Sequence, residues 1–319
     1  MVIDEKILHD DLYEIMKSQV QQDFHHGLFD DHLLTLSYMS TTLSQRQKLD
    51  YETLVDIWIR YRIHNQIQKV YMKDPEVFEG FKEVKDSANL NQLLDLGAIF
   101  VSFHYGHDRY APLEVGKKLR EKDRYLYLIT DPEETVEEQW VTYQQKFHVD
   151  DLASDGVFHD PKVESLISKN ENVFFYLDDK VGFDEEVSPF KVKFMSKSQK
   201  APSSIFRLAV KFQKPICFIH STLNEAGEPI LHIYGPLWVQ DNEIKGSVQF
   251  IYELFEEELW EKPYLWKKWH RYKPLEEYAD EMINRADPNI DVLNRWGTHG
   301  LNIQSGLIYQ IASSVFAAK

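Results

Sequence analysis

His104 closes the apolar run Ala98-Ile99-Phe100-Val101-Ser102-Phe103 and is followed by Tyr105-Gly106-His107-Asp108-Arg109-Tyr110. A strand-length apolar run that ends in a histidine and a glycine, before a charged segment with helical spacing, is how α/β proteins commonly present a reactive side chain. An imidazole with an ordinary pKa of about 6.5 is largely neutral yet proton-accepting at pH 7, the state of a general base. Asp108 is a candidate partner to orient and charge that ring. The amides at the start of the next helix could face an oxyanion. The structural alternative for His104 is a partly buried ring hydrogen-bonded to backbone. His104, His107 and Asp108 also make an H-x-x-H-D grouping, but they share one element and the sequence shows no clear third and fourth ligand, so no metal is expected.

The elements that would position His104 follow from periodicity. Leu94 to Gly97 introduces its strand, Tyr110 to Arg120 reads as the next helix, and Arg124 to Thr130 as a second buried strand stopped by Asp131-Pro132. Strand, helix, strand predicts a parallel unit. Pro132 to Phe147 opens like a helix, with proline in its first turn and acids just after it, and a short helix follows around Pro161 to Ser168. Glu171 to Asp178 is a third buried strand, delivering Asp178, Asp179 and Lys180 before Gly182. On a continuing strand adjacent aspartates point to opposite faces, so only one of them is expected to share a cleft with His104. Val187 to Phe194 alternates like an exposed strand or hairpin, and Pro202 opens a helix through Lys211. Pro215 to His220 and Ile230 to Tyr234 read as neighbouring strands joined by a turn at Asn224 to Gly227, with a helix from Val248 to Trp260.

The first 90 residues read as mostly helical: Ile7, Leu8, Leu12, Ile15, Met16 and Val20 fall at helical spacing, as do Leu54, Ile57, Trp58 and Tyr61, with His64 next on that face. His25-His26-Gly27 reads as a turn. Residues 275 to 319 read as polar breaks between apolar helical pieces. The predicted class is α/β, with a central mixed, largely parallel sheet flanked by helices: 1–90 a helical region, 91–275 the α/β core, 276–319 a helical extension.

Composition narrows the partners. The chain has 319 residues and a formal charge of -16, which argues against nucleic acid or an anionic membrane as the main partner, since both need a positive footprint. No apolar run approaches the roughly 18 residues needed to span a bilayer, and the mixed amino terminus resembles no signal peptide, so a cytoplasmic protein with at most peripheral membrane association is expected. Cys217, the single cysteine, lies in an apolar run and reads as a packed strand residue. Between Val187 and Asn224 there is no Asp or Glu, while Lys191, Lys193, Lys197, Lys200, Arg207, Lys211 and Lys214 are all basic. This segment could dock an acidic partner such as a phosphopantetheine carrier protein, coenzyme A or phospholipid headgroups; the alternative is a solvated surface balanced by acids elsewhere. In the run Trp260 to Tyr272, Trp260, Tyr264 and Trp266 read as core or groove lining.

His104 after its strand, YLDDKVG at 176–182, VSPFKVKFMSKSQKAPSSIFRLAVKFQKPICFI at 187–219, HIYGPL at 232–237 and FEEELWEKPYLWKKWHRYK at 255–273 together resemble the lipid A biosynthesis acyltransferases of the lysophospholipid acyltransferase superfamily. The resemblance covers roughly residues 90 to 275. It implies acyl transfer from a thioester, on an acyl or peptidyl carrier protein or coenzyme A, to a hydroxyl or amine, with His104 as general base and no acyl-enzyme. No cofactor is permanently bound; the phosphopantetheine thioester is a co-substrate. Asp178 matches an aspartate placed after the family's third strand and Arg271 its late arginine, both implied to support substrate. The family's acid, five residues after the histidine, is replaced here by Arg109, with Asp108 one position earlier. On a helix that step is about 100° of rotation. Either Asp108 takes the acid's role through altered geometry, or Arg109 holds an anionic substrate. The family's amino-terminal membrane anchor is not seen, which favours a soluble, small or carrier-bound acceptor. The alternatives are a thioesterase on the same donor and a non-catalytic relative that binds an acylated carrier or lipid.

Overall fold

The computed structural model describes residues 13–15, 17–19, 33–46, 49–131, 138–154, 160–179, 189–271, 279–283, 289–294 and 297–311, without the side chains of 270–271 and 279–283. The expected helix at residues 4–24 lies largely outside them, as do His25, His26, Lys180, Gly182 and the first turns of the helix expected from Pro132. Two compact units are formed, one from Ile3–Asn65 with Lys267–Lys319, the other from Gln66–Trp266.

The first unit contains α1 (Leu33–Leu43) and the opening turns of α2 (Tyr51–Lys73). α1 buries Leu36, Met39 and Leu43 and also polar residues, because Ser37 and Ser40 spend their hydroxyls on the carbonyls of Gly306 and Ile303.

The second unit carries the sheet. Its elements are β1 (Glu83–Asp86), α3 (Leu90–Leu93), β2 (Ile99–Ser102), α4 (Ala111–Arg120), β3 (Leu126–Thr130), α5 (Glu138–Gln145), β4 (Val149–Ala153), α6 (Pro161–Ser168), β5 (Asn172–Tyr176), β6 (Phe190–Phe194), β7 (Lys197–Ala201), α7 (Ser204–Phe212), β8 (Ile216–Leu223), β9 (Pro229–Leu237) and α8 (Ile244–Glu261). Seven strands pair in the order β1-β9-β8-β2-β5-β3-β4, all parallel except the β8/β9 hairpin. The protein is thus α/β, with a mixed, mostly parallel sheet flanked by helices, as expected. β2 and β5 sit side by side at the centre and every residue of both is buried, which is why they read as continuous apolar runs rather than alternating ones.

The chain leaves β2 towards β3 and leaves β5 towards β8, in opposite directions along the sheet. With right-handed crossovers these connections lie on opposite faces and open a crevice at the carboxyl ends of β2 and β5. His104 and Asp178 come from those two ends.

Two parts of the expected organisation need correction. The compact unit holding the sheet begins at Gln66 rather than 91, and β1 joins it by pairing parallel with β9. All four β1 residues are exposed, so this edge strand carries no apolar alternation that the sequence could show. The described residues of the tail are not helical. They form β10 (Ala279–Ile283), β11 (Val292–Leu293), β12 (His299–Leu301) and β13 (Ile308–Ile311), ordered β10-β13-β12-β11. The apolar pieces between Gly297, Gly300 and Gly306 are too short to propagate a helix, whereas two- to five-residue strands share their hydrogen bonds with neighbours.

Candidate active site

β2 ends at Ser102, and its last ladder bond runs from Leu177 N to Ser102 O at 2.7 Å, after which both chains turn away from the sheet. His104 emerges from that turn, with Nδ1 2.8 Å from Asp178 Oδ1. Asp178 also accepts from the His104 amide, at 3.1 Å to Oδ2, and from Trp266 Nε1 at 2.8 Å. Three N–H groups thus converge on one carboxylate, an arrangement that an ionised acid satisfies. With its Nδ1 proton shared with Asp178, the neutral ring keeps a lone pair at Nε2. Tyr176 stacks on the imidazole at 4.0 Å between centroids. Both members of the pair are buried, at 5% and 8% side-chain exposure, so water competes little for the bond.

The carboxylate at His104 Nδ1 is therefore Asp178, which was expected only to support substrate, and the orienting role expected of Asp108 is corrected accordingly. Asp108 is buried at the start of the short turn Asp108–Tyr110, and its carbonyl accepts from Tyr176 Oη at 3.1 Å. The expectation that only one of Asp178 and Asp179 could approach His104 also fails. β5 stops at Tyr176, strand alternation no longer holds in the turn beyond, and Asp179 Oδ2 lies 3.9 Å from His104 Nε2.

Gly106 makes this turn possible. It has φ +62°, and a Cβ there would lie 2.3 Å from Ser221 O. Gly106→Ala should lower the melting temperature by the equivalent of about 1–3 kcal/mol and disturb the His104 ring, checked by thermal unfolding and by the imidazole NMR signal. The turn also uses its amides. Tyr105 N donates to Phe103 O, Gly106 N to Leu265 O and His107 N to Ser221 Oγ, so these three are satisfied within the fold, and Tyr110 N, at the start of the expected helix, donates to His107 O. His107 is a packing residue: it is buried, with Nδ1 2.8 Å from Gln68 Nε2 and its ring against Phe78 at 5.0 Å.

A narrow cleft leads to His104, enclosing about 320 Å³ of space with open solvent included; Arg109, Thr130, Trp140, Gln144 and Tyr176 help to line it. Arg109 thus lines the same cleft as His104. Trp266 was expected only as groove lining, and no local spacing marks it as Asp178's partner across 88 residues.

No family model matches the chain, and no curated protein matches it. Among solved structures, the pilus retraction motor PilT with bound ADP aligns over 56% of this chain and 61% of its own, at 12% identity and a TM-score of 0.28. That likeness is too slight to carry an argument. Among the described residues no helix is long and apolar enough to cross a membrane.

The expected basic segment divides. Lys191 pairs directly across the β6/β7 hairpin with Lys200, and Lys193 stands on the same face, while Val192 and Phe194 are buried on the other. Lys197 shares the Phe194 side, where burial lowers its pKa. The Arg207 guanidinium lies over the Phe190 ring at 5.5 Å, Lys211 pairs with Glu164, and Lys214 is buried with its ammonium on Leu96 O. Three exposed lysines remain on one face. Arg271 ends the stretch Lys267–Arg271, and its side chain is outside the described residues. Cys217 is buried, which pushes its thiol up to about 12 and leaves no thiolate for chemistry at neutral pH.

Proposed function

We propose that this chain is an acyltransferase of the cytoplasm that moves an acyl group from a phosphopantetheine thioester, on an acyl or peptidyl carrier protein or coenzyme A, to a hydroxyl or amine. The observation that carries the reading is the buried His104–Asp178 pair, with His104 lining a cleft that Arg109 also lines. His104 Nε2 takes the acceptor's proton as the acceptor oxygen or nitrogen bonds to the thioester carbon. The tetrahedral intermediate then expels the thiolate, which recovers the proton from the imidazolium, and no acyl-enzyme forms. Asp178 stabilises the imidazolium and fixes its tautomer. With the amides of residues 105–107 committed elsewhere, the Arg109 guanidinium is assigned to the oxyanion or to an anionic acceptor. The ordered motifs that resemble the lipid A acyltransferases support the same chemistry, and Asp178 supplies the carboxylate missing at position 109, which favours turnover over a binding-only relative.

The test offers the protein a panel of acylated carrier proteins and acyl coenzyme A, with and without amines and alcohols, and follows acyl loss by intact mass. Acyl appearing on an added acceptor supports transfer; release only as free acid makes the protein a thioesterase; no loss from any donor refutes the proposal. Lys191, Lys193 and Lys200 are the candidate carrier-docking face. Replacing Lys191 and Lys200 by Glu should raise the Kd for an acidic carrier protein about tenfold at low salt and flatten its salt dependence, as read by titration calorimetry.

A further inference from the structure

On the β8/β9 hairpin and α8, away from the His104 ring, lies a second cluster of polar side chains. His220 of β8 and His232 of β9 are direct cross-strand partners whose rings stack at 4.8 Å and 8°. Glu258 of α8 reaches over them, its Oε1 3.4 Å from His220 Nε2. His220 is 1% exposed, yet neither of its ring nitrogens has a well-formed hydrogen bond, and His232 Nε2 is likewise buried without one. Buried polar atoms are normally satisfied, so three unsatisfied nitrogens beside one carboxylate mark a missing partner.

Each neutral ring carries one N–H and one lone pair. A divalent cation can accept one lone pair from each ring and one from the carboxylate at the same time, and no single proton can. One donor atom from each of His220, His232 and Glu258 lies within 4.8 Å of the others. In a tetrahedral site with bonds of about 2.1 Å the donors stand about 3.4 Å apart, the present separation of His220 Nε2 and Glu258 Oε1. A bound ion would draw the donors in from their present spread of up to 4.8 Å.

We propose that His220, His232 and Glu258 bind one divalent transition-metal ion of the zinc class, with water completing the coordination. Two imidazoles and a carboxylate suit zinc and its neighbours rather than magnesium or calcium, which prefer all-oxygen sites. Glu258 keeps 21% side-chain exposure, which gives the ion a way in. The ion's role is to fasten the hairpin to α8 behind the dyad. Tyr105, the residue after His104, donates to Glu258 O at 2.9 Å, and α8 also presents Phe255, stacked on Phe103 at 3.9 Å.

The test uses the full chain, stripped with EDTA, dialysed and titrated with Zn2+ and with Co2+. The expected result is one Zn2+ per chain by elemental analysis, a higher melting temperature with Zn2+, and the visible absorption of four-coordinate Co2+. Glu258→Gln should weaken Zn2+ at least about tenfold, and His232→Gln more. Circular dichroism checks that both variants fold, and Glu258→Gln, whose side chain is partly exposed, remains informative if His232→Gln does not. The proposal is overturned if the wild-type chain takes up no stoichiometric Zn2+, or if folded Glu258→Gln binds it as tightly as wild type, which would place the ion elsewhere.

Discussion

His104→Ala should reduce acyl loss from an active thioester donor by about 10²–10⁴-fold, the range of a positioned general base. The effect should fall on turnover, since the substitution removes the proton acceptor at the cleft while the backbone amide of residue 104 can still donate to Asp178. Single-turnover measurement with the best donor of the panel separates this from weaker binding. Activity within threefold of wild type in folded protein would remove His104 from the chemistry and with it the acyl-transfer proposal.

Asp178→Asn should be nearly as damaging, about 10²–10⁴-fold on turnover, although it changes few atoms. Three N–H donors meet Asp178. An amide offers one acceptor oxygen, so its NH2 must face at least one of those donors. If it turns towards His104 Nδ1, the ring proton moves to Nε2 and the lone pair needed for proton abstraction is lost. If it turns towards Trp266, the indole hydrogen bond is lost and the carboxylate's charge no longer stabilises the imidazolium. Asp108→Asn provides the contrast: turnover per folded molecule should stay within a few-fold of wild type, with any loss appearing in stability, because Asp108 is buried at the start of its turn. Measuring kcat alongside the melting temperature for both variants decides which acid serves the imidazole. If Asp108→Asn lost turnover without losing stability, the assignment of Asp178 would fall.

Much of the architecture was legible along the chain. The strands that lead to His104 and Asp178 are fully buried and therefore predominantly apolar, and the proline and glycine punctuation around the helices is local chemistry that any reader of the sequence meets. His104 itself was legible for the same reason, since it follows such a strand and precedes a glycine. Where burial leaves no mark the reading failed: β1 is exposed along its length, and β4 was not anticipated because its pattern of buried and exposed residues, Val149-Asp150-Asp151-Leu152-Ala153, is too polar to stand out. The strands of the tail were misread as helix because short apolar pieces separated by glycines fit either periodicity until a neighbouring strand is present.

What the sequence determined by itself, then, is the class of the fold, the central strands and the histidine at the end of one of them, because each depends on residues close together in the chain. The tertiary structure decided which acid serves that histidine. Asp178 lies 74 residues from His104 and reaches its ring only because β2 and β5 are adjacent in the sheet. The pairing of Lys191 with Lys200, the dispersal of the other basic residues and the meeting of His220 and His232 with Glu258 were decided in the same way. Strand order and register are set by which surfaces can be buried together, a property of the assembled sheet that no local spacing records.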